Sequence, residues 1–163
     1  MRLFLLIFVL LPLFSLSQQK SELNGCSIIF VRHAEKESQS KDPQLSIEGL
    51  DRAGKLATLL SNQKINAVFS TNFKRTIETV TPTANSQYLE IEFYDPLDKA
   101  KIESWVLQNP GKTLLVVGHS NTIPALVNHF AQLELPDLEE NEYDKIFIVS
   151  ILDGRSKLLT FTY

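Results

Sequence analysis

Cysteine is nearly absent from this chain. Cys26 is the single one in 163 residues, so no intramolecular disulfide can form. Methionine and tryptophan also occur once each. No block of lysine and arginine appears and the net charge is −3, which disfavours a nucleic-acid surface built on phosphate neutralisation. No carboxylate cluster stands at ligand spacing, so no metal is expected, and no other cofactor is called for. Internal repeats and low-complexity tracts are missing, which sets aside solenoids and disordered linkers. Hydrophobic residues make up 44% and charged residues 21%, an ordinary balance for one soluble domain with its own core.

One long apolar run is present, Leu3 to Leu16, behind the short positive start Met1-Arg2. Ser15 and Ser17 put small residues at the −3 and −1 positions before Gln18, the layout of a secretory signal peptide over 1–17. The run is short for a transmembrane helix. The expectation is therefore a secreted or periplasmic protein with no stable membrane insertion after cleavage, rather than one with a retained anchor. Residues 18–24 read as a polar lead-in and 25–163 as the domain. Leu23-Asn24-Gly25-Cys26 faintly resembles a lipid-attachment site, but the apolar run stops well before it. Cys26 reads as a buried thiol that opens a strand.

The chain is organised around Ser27-Ile28-Ile29-Phe30-Val31-Arg32-His33. Its β-branched and aromatic run lacks polar alternation, as in a buried central strand of a parallel sheet. Ile65 to Phe69, Tyr88 to Tyr94 and Thr113 to Val117 read as three further strands, and Ile146 to Leu152 with Leu158 to Thr162 as a late antiparallel pair around Asp153-Gly154. Helices are expected from Leu50 to Leu60 with Ser46 as N-cap, from Phe73 to Val80, from Asp98 to Leu107, and from Ile123 to Phe130 with Ser120 or Asn121 as cap. Leu50, Ala53, Leu56, Ala57 and Leu60 share a helical spacing that suits core packing. The fold class expected is a three-layer α/β/α domain, its central sheet mostly parallel with an antiparallel edge.

Open sheets of this kind bind ligands outside the carboxyl ends of their strands. Arg32 and His33 follow the first strand, Arg75 the second, Asp95 the third and His119 the fourth. Two imidazoles, two guanidiniums and a carboxylate on one rim suit transfer of an anionic group, with phosphate the obvious candidate. Arg75 sits in a helix first turn, where acids are favoured, and that local misfit points to a role beyond solvation. Gly118 is expected to let the chain bend ahead of His119. His129 has no comparable context and reads as a packing or surface residue.

These stretches resemble the histidine phosphatase superfamily, which includes the phosphoglycerate mutases. Val31-Arg32-His33-Ala34-Glu35 resembles its arginine-histidine-glycine signature, with Ala34 in the glycine place. Leu45-Ser46-Ile47-Glu48-Gly49 resembles its helix opening, Ser70-Thr71-Asn72-Phe73-Lys74-Arg75-Thr76 its second arginine motif, and Val117-Gly118-His119-Ser120-Asn121 its second histidine motif. The resemblance implies that His33 is the nucleophile that becomes phosphohistidine. It implies that Arg32, Arg75 and His119 bind the phosphate, and that His119 stabilises charge during transfer. It implies Asp95 as general acid, with Asp98 and Glu35 as alternatives, and capping of the following helix as a competing role for Asp95.

The expected activity is metal-independent hydrolysis of a phosphomonoester outside the cytoplasm. The partner is a small phosphorylated substrate or an envelope phospho-glycan. A phosphohistidine-protein phosphatase of the same fold and a non-catalytic phosphate-binding module are the alternatives. A mutase is disfavoured, because only one short helix separates the third strand from the second histidine. The polar loops Glu35 to Pro43 and Leu133 to Tyr143 define no clear pocket in the sequence, and the oligomeric state is left open.

Overall fold

A computed structural model describes residues 25–163; the expected leader over 1–17 and lead-in over 18–24 lie outside the described residues. Ten elements alternate along the chain. They are β1 (Gly25–Arg32), α1 (Ile47–Leu60), β2 (Ala67–Ser70), α2 (Lys74–Ser86), β3 (Ile91–Phe93), α3 (Lys99–Gln108), β4 (Thr113–Gly118), α4 (Thr122–Ala131), β5 (Lys145–Leu152) and β6 (Arg155–Thr162). The six strands form one sheet in the order β3-β2-β4-β1-β5-β6. β1 to β4 run parallel, while β5 is antiparallel to β1 and β6 to β5. Among the described residues no helix is long and apolar enough to cross a membrane.

The period of two along β1 builds both cores. Ile28 and Phe30 enter the cluster that also holds Ile102, Trp105, Ile123, Leu126 and Val127 from α3 and α4. Ile29 and Val31 enter the cluster with Leu56, Leu60, Val80 and Ala84 from α1 and α2. β4 repeats the pattern with Leu114 and Val116 on the first face and Leu115 and Val117 on the second. A strand buried on both faces has no use for polar alternation. Cys26 is buried at the start of β1.

Several elements differ from the sequence expectation for physical reasons. β3 has three residues, not seven, because it is an edge strand with one partner, and Tyr88 ahead of it has φ +56° and is exposed. α2 runs on past Val80 and through Pro82 to Ser86. Threonine hydroxyls return to main-chain carbonyls one turn back, Thr79 to Arg75 and Thr81 to Ile77. Leu50 is 54% exposed, so the buried stripe of α1 is Gly49, Ala53, Leu56 and Leu60. The cap of α4 is Asn121, but its side chain makes no capping bond. Instead the Thr122 hydroxyl accepts the His119 N–H at 2.9 Å. Gly118 lies in β4, where a Cβ would stand 2.8 Å from Thr122 Oγ1 and 2.9 Å from the Tyr94 hydroxyl. Close approach, rather than a bend, makes glycine necessary there.

Candidate active site

Strand register brings the two histidines together. Arg32 pairs with Gly118 across β1 and β4, and the His33 N–H continues the ladder by donating to the Gly118 carbonyl at 2.9 Å. His33 and His119 thus leave neighbouring strands side by side, and their ring centroids are 5.4 Å apart, close to one strand spacing. On the other side of β4, Ser70 pairs with Val117, which brings Thr71 to the same level. Arg32, His33, Arg75 and His119 all line one polar cavity of about 330 Å³.

The hydrogen bonds define tautomers. His33 Nδ1 is 2.8 Å from the Ala34 carbonyl. A carbonyl only accepts, so Nδ1 carries the proton and Nε2 keeps its lone pair. The Ala34 N–H donates to Thr79 Oγ1 at 2.9 Å, and the alanine methyl packs in a small cluster with Leu45 and Ala53. His119 Nε2 lies 3.0 Å from Thr71 Oγ1, which itself donates to Thr76 Oγ1. The Thr71 hydroxyl must therefore accept from Nε2–H. That leaves His119 Nδ1 as acceptor for Arg75 Nη2 at 3.4 Å. Burial pushes His33 down from 6.5 to about 3, opposed by the Ala34 hydrogen bond and reinforced by His119 and both arginines. Burial and the two arginines push His119 down to about 4. Both rings are neutral at pH 7, and His33 is ready as a nucleophile.

Each arginine is held by a different device. Arg32 is 2% exposed. Its Nη1 donates to the carbonyls of Glu139, Glu140 and Glu142 at 2.7, 3.2 and 3.3 Å, and its guanidinium lies 4.1 Å from the centroid of the Tyr143 ring. Arg75 packs over the Phe73 ring at 4.5 Å, with Asp42 Oδ1 at 3.8 Å. Arg32 Nε and Arg75 Nη1 are buried and have no hydrogen-bond partner. Arg75 Nη1 has only the longer ion-pair contact to Asp42, and two guanidiniums beside two neutral imidazoles on one polar cavity fit an anion with several acceptor oxygens.

The structure does not bring the candidate acids to the cavity wall. Asp95 is exposed, and its Oδ1 accepts the Leu97 N–H at 2.9 Å in the turn after β3. β3 stands three strands from β1 in the sheet order, about 14 Å at the usual strand spacing. Asp98, not Asp95, caps α3 by accepting the Lys101 N–H. Glu35 is forked onto Arg52, with Nε and Nη2 at 2.6 to 2.9 Å, which holds its carboxyl below the usual range. Among the described residues the one carboxylate lining the cavity is Glu140, 3.3 Å from Lys36 Nζ and 3.7 Å from Arg32 Nη2. His129 is exposed and faces Glu103.

Sequence reasoning missed Thr71, Thr79, Lys36, Glu140 and Tyr143. Thr71 stood in the quoted motif, directly after a strand, and that position was its signal. Glu140 and Tyr143 gave none, because their loop reaches Arg32 across more than a hundred residues. The role of Gly49 also needed coordinates. A Cβ there would press into the Glu35 carbonyl oxygen and stand 3.0 Å from the Glu35 nitrogen. That same carbonyl accepts the Ser46 N–H at 2.9 Å, the bond a Glu or Gln at the Gly49 position would make in a capping box. Among the described residues no group of three or more His, Cys, Asp or Glu stands close enough to hold a metal ion.

Residues 28–106 match the sequence model of the histidine phosphatase superfamily (branch 1). No curated protein matches the chain. Among solved structures, the protein histidine phosphatase SixA complexed with tungstate is 18% identical with a TM-score of 0.70, over 83% of this chain and 96% of that one. Phosphoglycerate mutase from Bacillus anthracis str. Sterne is 15% identical with a TM-score of 0.72, over 86% and 94%. A mycobacterial glucosyl-3-phosphoglycerate phosphatase is 13% identical with a TM-score of 0.66, over 85% and 99%.

Proposed function

We propose, for a chain that has the histidine phosphatase fold and matches that superfamily over residues 28–106, that it hydrolyses phosphomonoesters through a phosphohistidine on His33. The carrying observation is that a pair of neutral imidazoles and two guanidiniums line one polar cavity. In this reading the His33 Nε2 lone pair attacks phosphorus, the P–O ester bond breaks and the alkoxide takes a proton. Water then attacks phosphorus, a P–O bond forms as the P–N bond breaks and the water gives up a proton, which returns His33 neutral and frees phosphate. Arg32 and Arg75 hold the phosphate oxygens. His119 donates to them only after it gains a proton at Nδ1, because Nε2–H is committed to Thr71 in the free protein. No metal takes part in any of these steps.

The proton donor is assigned by a comparison. The strand-end position proposes Asp95, and the cavity wall favours Glu140. An acid matters for an alkyl leaving group and little for p-nitrophenolate, which leaves unaided. The donor's amide variant, Asp95→Asn or Glu140→Gln, slows alkyl ester hydrolysis at least tenfold while sparing p-nitrophenyl phosphate. The primary test is turnover of p-nitrophenyl phosphate by the purified protein, with acid quench and detection of phosphate on His33. His33→Ala must abolish turnover. Equal background rates from both proteins would establish a binding module instead.

The second reading, a phosphohistidine-protein phosphatase, is favoured by the likeness to the SixA fold. Faster release from a phosphohistidine peptide than from any ester would select it. The proposed setting is extracytoplasmic, with a small phosphorylated molecule or an envelope phospho-glycan as substrate, and the support is the leader pattern over 1–17. Cell fractionation and N-terminal sequencing test it, with Gln18 the expected first residue.

A further inference from the structure

Beside the phosphate cavity is a second recess of about 270 Å³, formed by the loop after β3 and by the first turns of α3 and α4. Its walls are mainly apolar, with Pro96, Leu97, Ile102, Ala125 and Leu126. Asn121 lines both this recess and the phosphate cavity. Thr122 lines the recess too, and it holds the main chain of His119. One four-residue segment, 119–122, therefore supplies a wall to each space. Leu97, 84% exposed, and Ala125 offer apolar surface that the fold itself leaves uncovered.

Charge sets what the rest of a substrate can be. The phosphate cavity holds Arg32, Lys36, Lys41 and Arg75 against Glu140, with Asp42 beside Arg75. Within that cavity the excess of two positive charges matches one phosphate dianion. In the recess the ionisable residues are Lys99 and His129, and His129 faces Glu103 at 3.8 Å. An apolar recess that shares a wall with a charge-matched phosphate site suits the alcohol half of an ester.

We infer that the recess receives the leaving alcohol, and that the substrate is the monophosphate ester of a largely apolar alcohol. The inference rests on the phosphomonoesterase reading and narrows its substrate class. The test uses n-alkyl phosphates from ethyl to hexyl, whose leaving groups are almost equally basic, so chain length reports burial alone. In the wild-type protein kcat/KM should rise roughly threefold to fourfold per added methylene until the recess fills. Ala125→Asn and Leu97→Asn, both at exposed positions lining the recess, should flatten that rise and leave the affinity for inorganic phosphate, which does not reach the recess, unchanged. The non-hydrolysable n-alkylphosphonates should show the same rise in affinity by calorimetry.

Esters cleaved with no dependence on chain length would overturn the inference and leave the phosphatase reading intact. A dependence that survives both variants would also overturn it, since the alcohol would then lie elsewhere. Phosphonates that bind more tightly with length while no ester is cleaved would sink the phosphatase reading and keep the recess as an apolar subsite.

Discussion

Two glycines on α1 should respond to alanine with opposite signs. Gly54 faces open space, with nothing within 4 Å of a Cβ. Gly54→Ala removes backbone freedom from the unfolded chain and should stabilise by roughly 0.5–1 kcal/mol. At Gly49 the added Cβ would press into the Glu35 carbonyl oxygen, a main-chain atom that no rotamer change can move aside. Relief requires the loop at Glu35 to part from α1. That strains the Ser46 N–H bond to Glu35 and the fork between Glu35 and Arg52. Overpacking of this kind costs about 1–3 kcal/mol, and a loosened ion pair with 13% exposure on the acid adds to it. The domain should therefore lose about 3 kcal/mol, roughly 10 °C in melting temperature at this size. Because Glu35 follows Ala34, whose carbonyl orients His33, kcat on p-nitrophenyl phosphate should also fall at least threefold. Thermal and urea denaturation of the two single variants, with kinetics on each, form the assay. A Gly49→Ala protein as stable and as active as wild type would refute the claim that this glycine exists for close approach.

Acid should destabilise the domain through its site histidines. Their folded pKa values, about 3 for His33 and about 4 for His119, lie below the unfolded 6.5, so the stability they contribute is complete above pH 6.5 and is lost as pH falls toward 3. At pH 5 each should cost about 2 kcal/mol relative to pH 8, and urea unfolding of a His33→Asn, His119→Asn variant should show a shallower pH slope. Anion binding should take up protons, because His119 Nδ1 faces the cavity region as an acceptor. Calorimetry with inorganic phosphate at pH 7 in buffers of different ionisation enthalpy should give net proton uptake, and none would contradict the tautomer assignment. Glu140 competes with any anion for Arg32 and Lys36. Glu140→Gln should tighten inorganic phosphate about twofold to fivefold, and leave the melting temperature within a degree or two because the side chain is 71% exposed.

The sequence by itself determined the local grammar of this protein. Unbroken apolar, β-branched strands, polar strand ends and the Ser46 cap are short-range features, so Arg32, His33, Arg75 and His119 could be named as a set from their positions after strands. The antiparallel β5 and β6 were legible because Asp153-Gly154 closes a tight turn, with φ of +49° and +74°. Strand order and register were not legible, because they depend on which apolar faces meet after the chain has closed over more than eighty residues. The pairing of Arg32 with Gly118 decided that the two histidines stand side by side. The edge position of β3 left Asp95 in an exposed turn off the cavity lining, and the return of the 133–144 segment decided that Glu140 and Tyr143 meet Arg32. Contacts so distant along the chain leave no periodicity behind, and only the packed sheet supplies them.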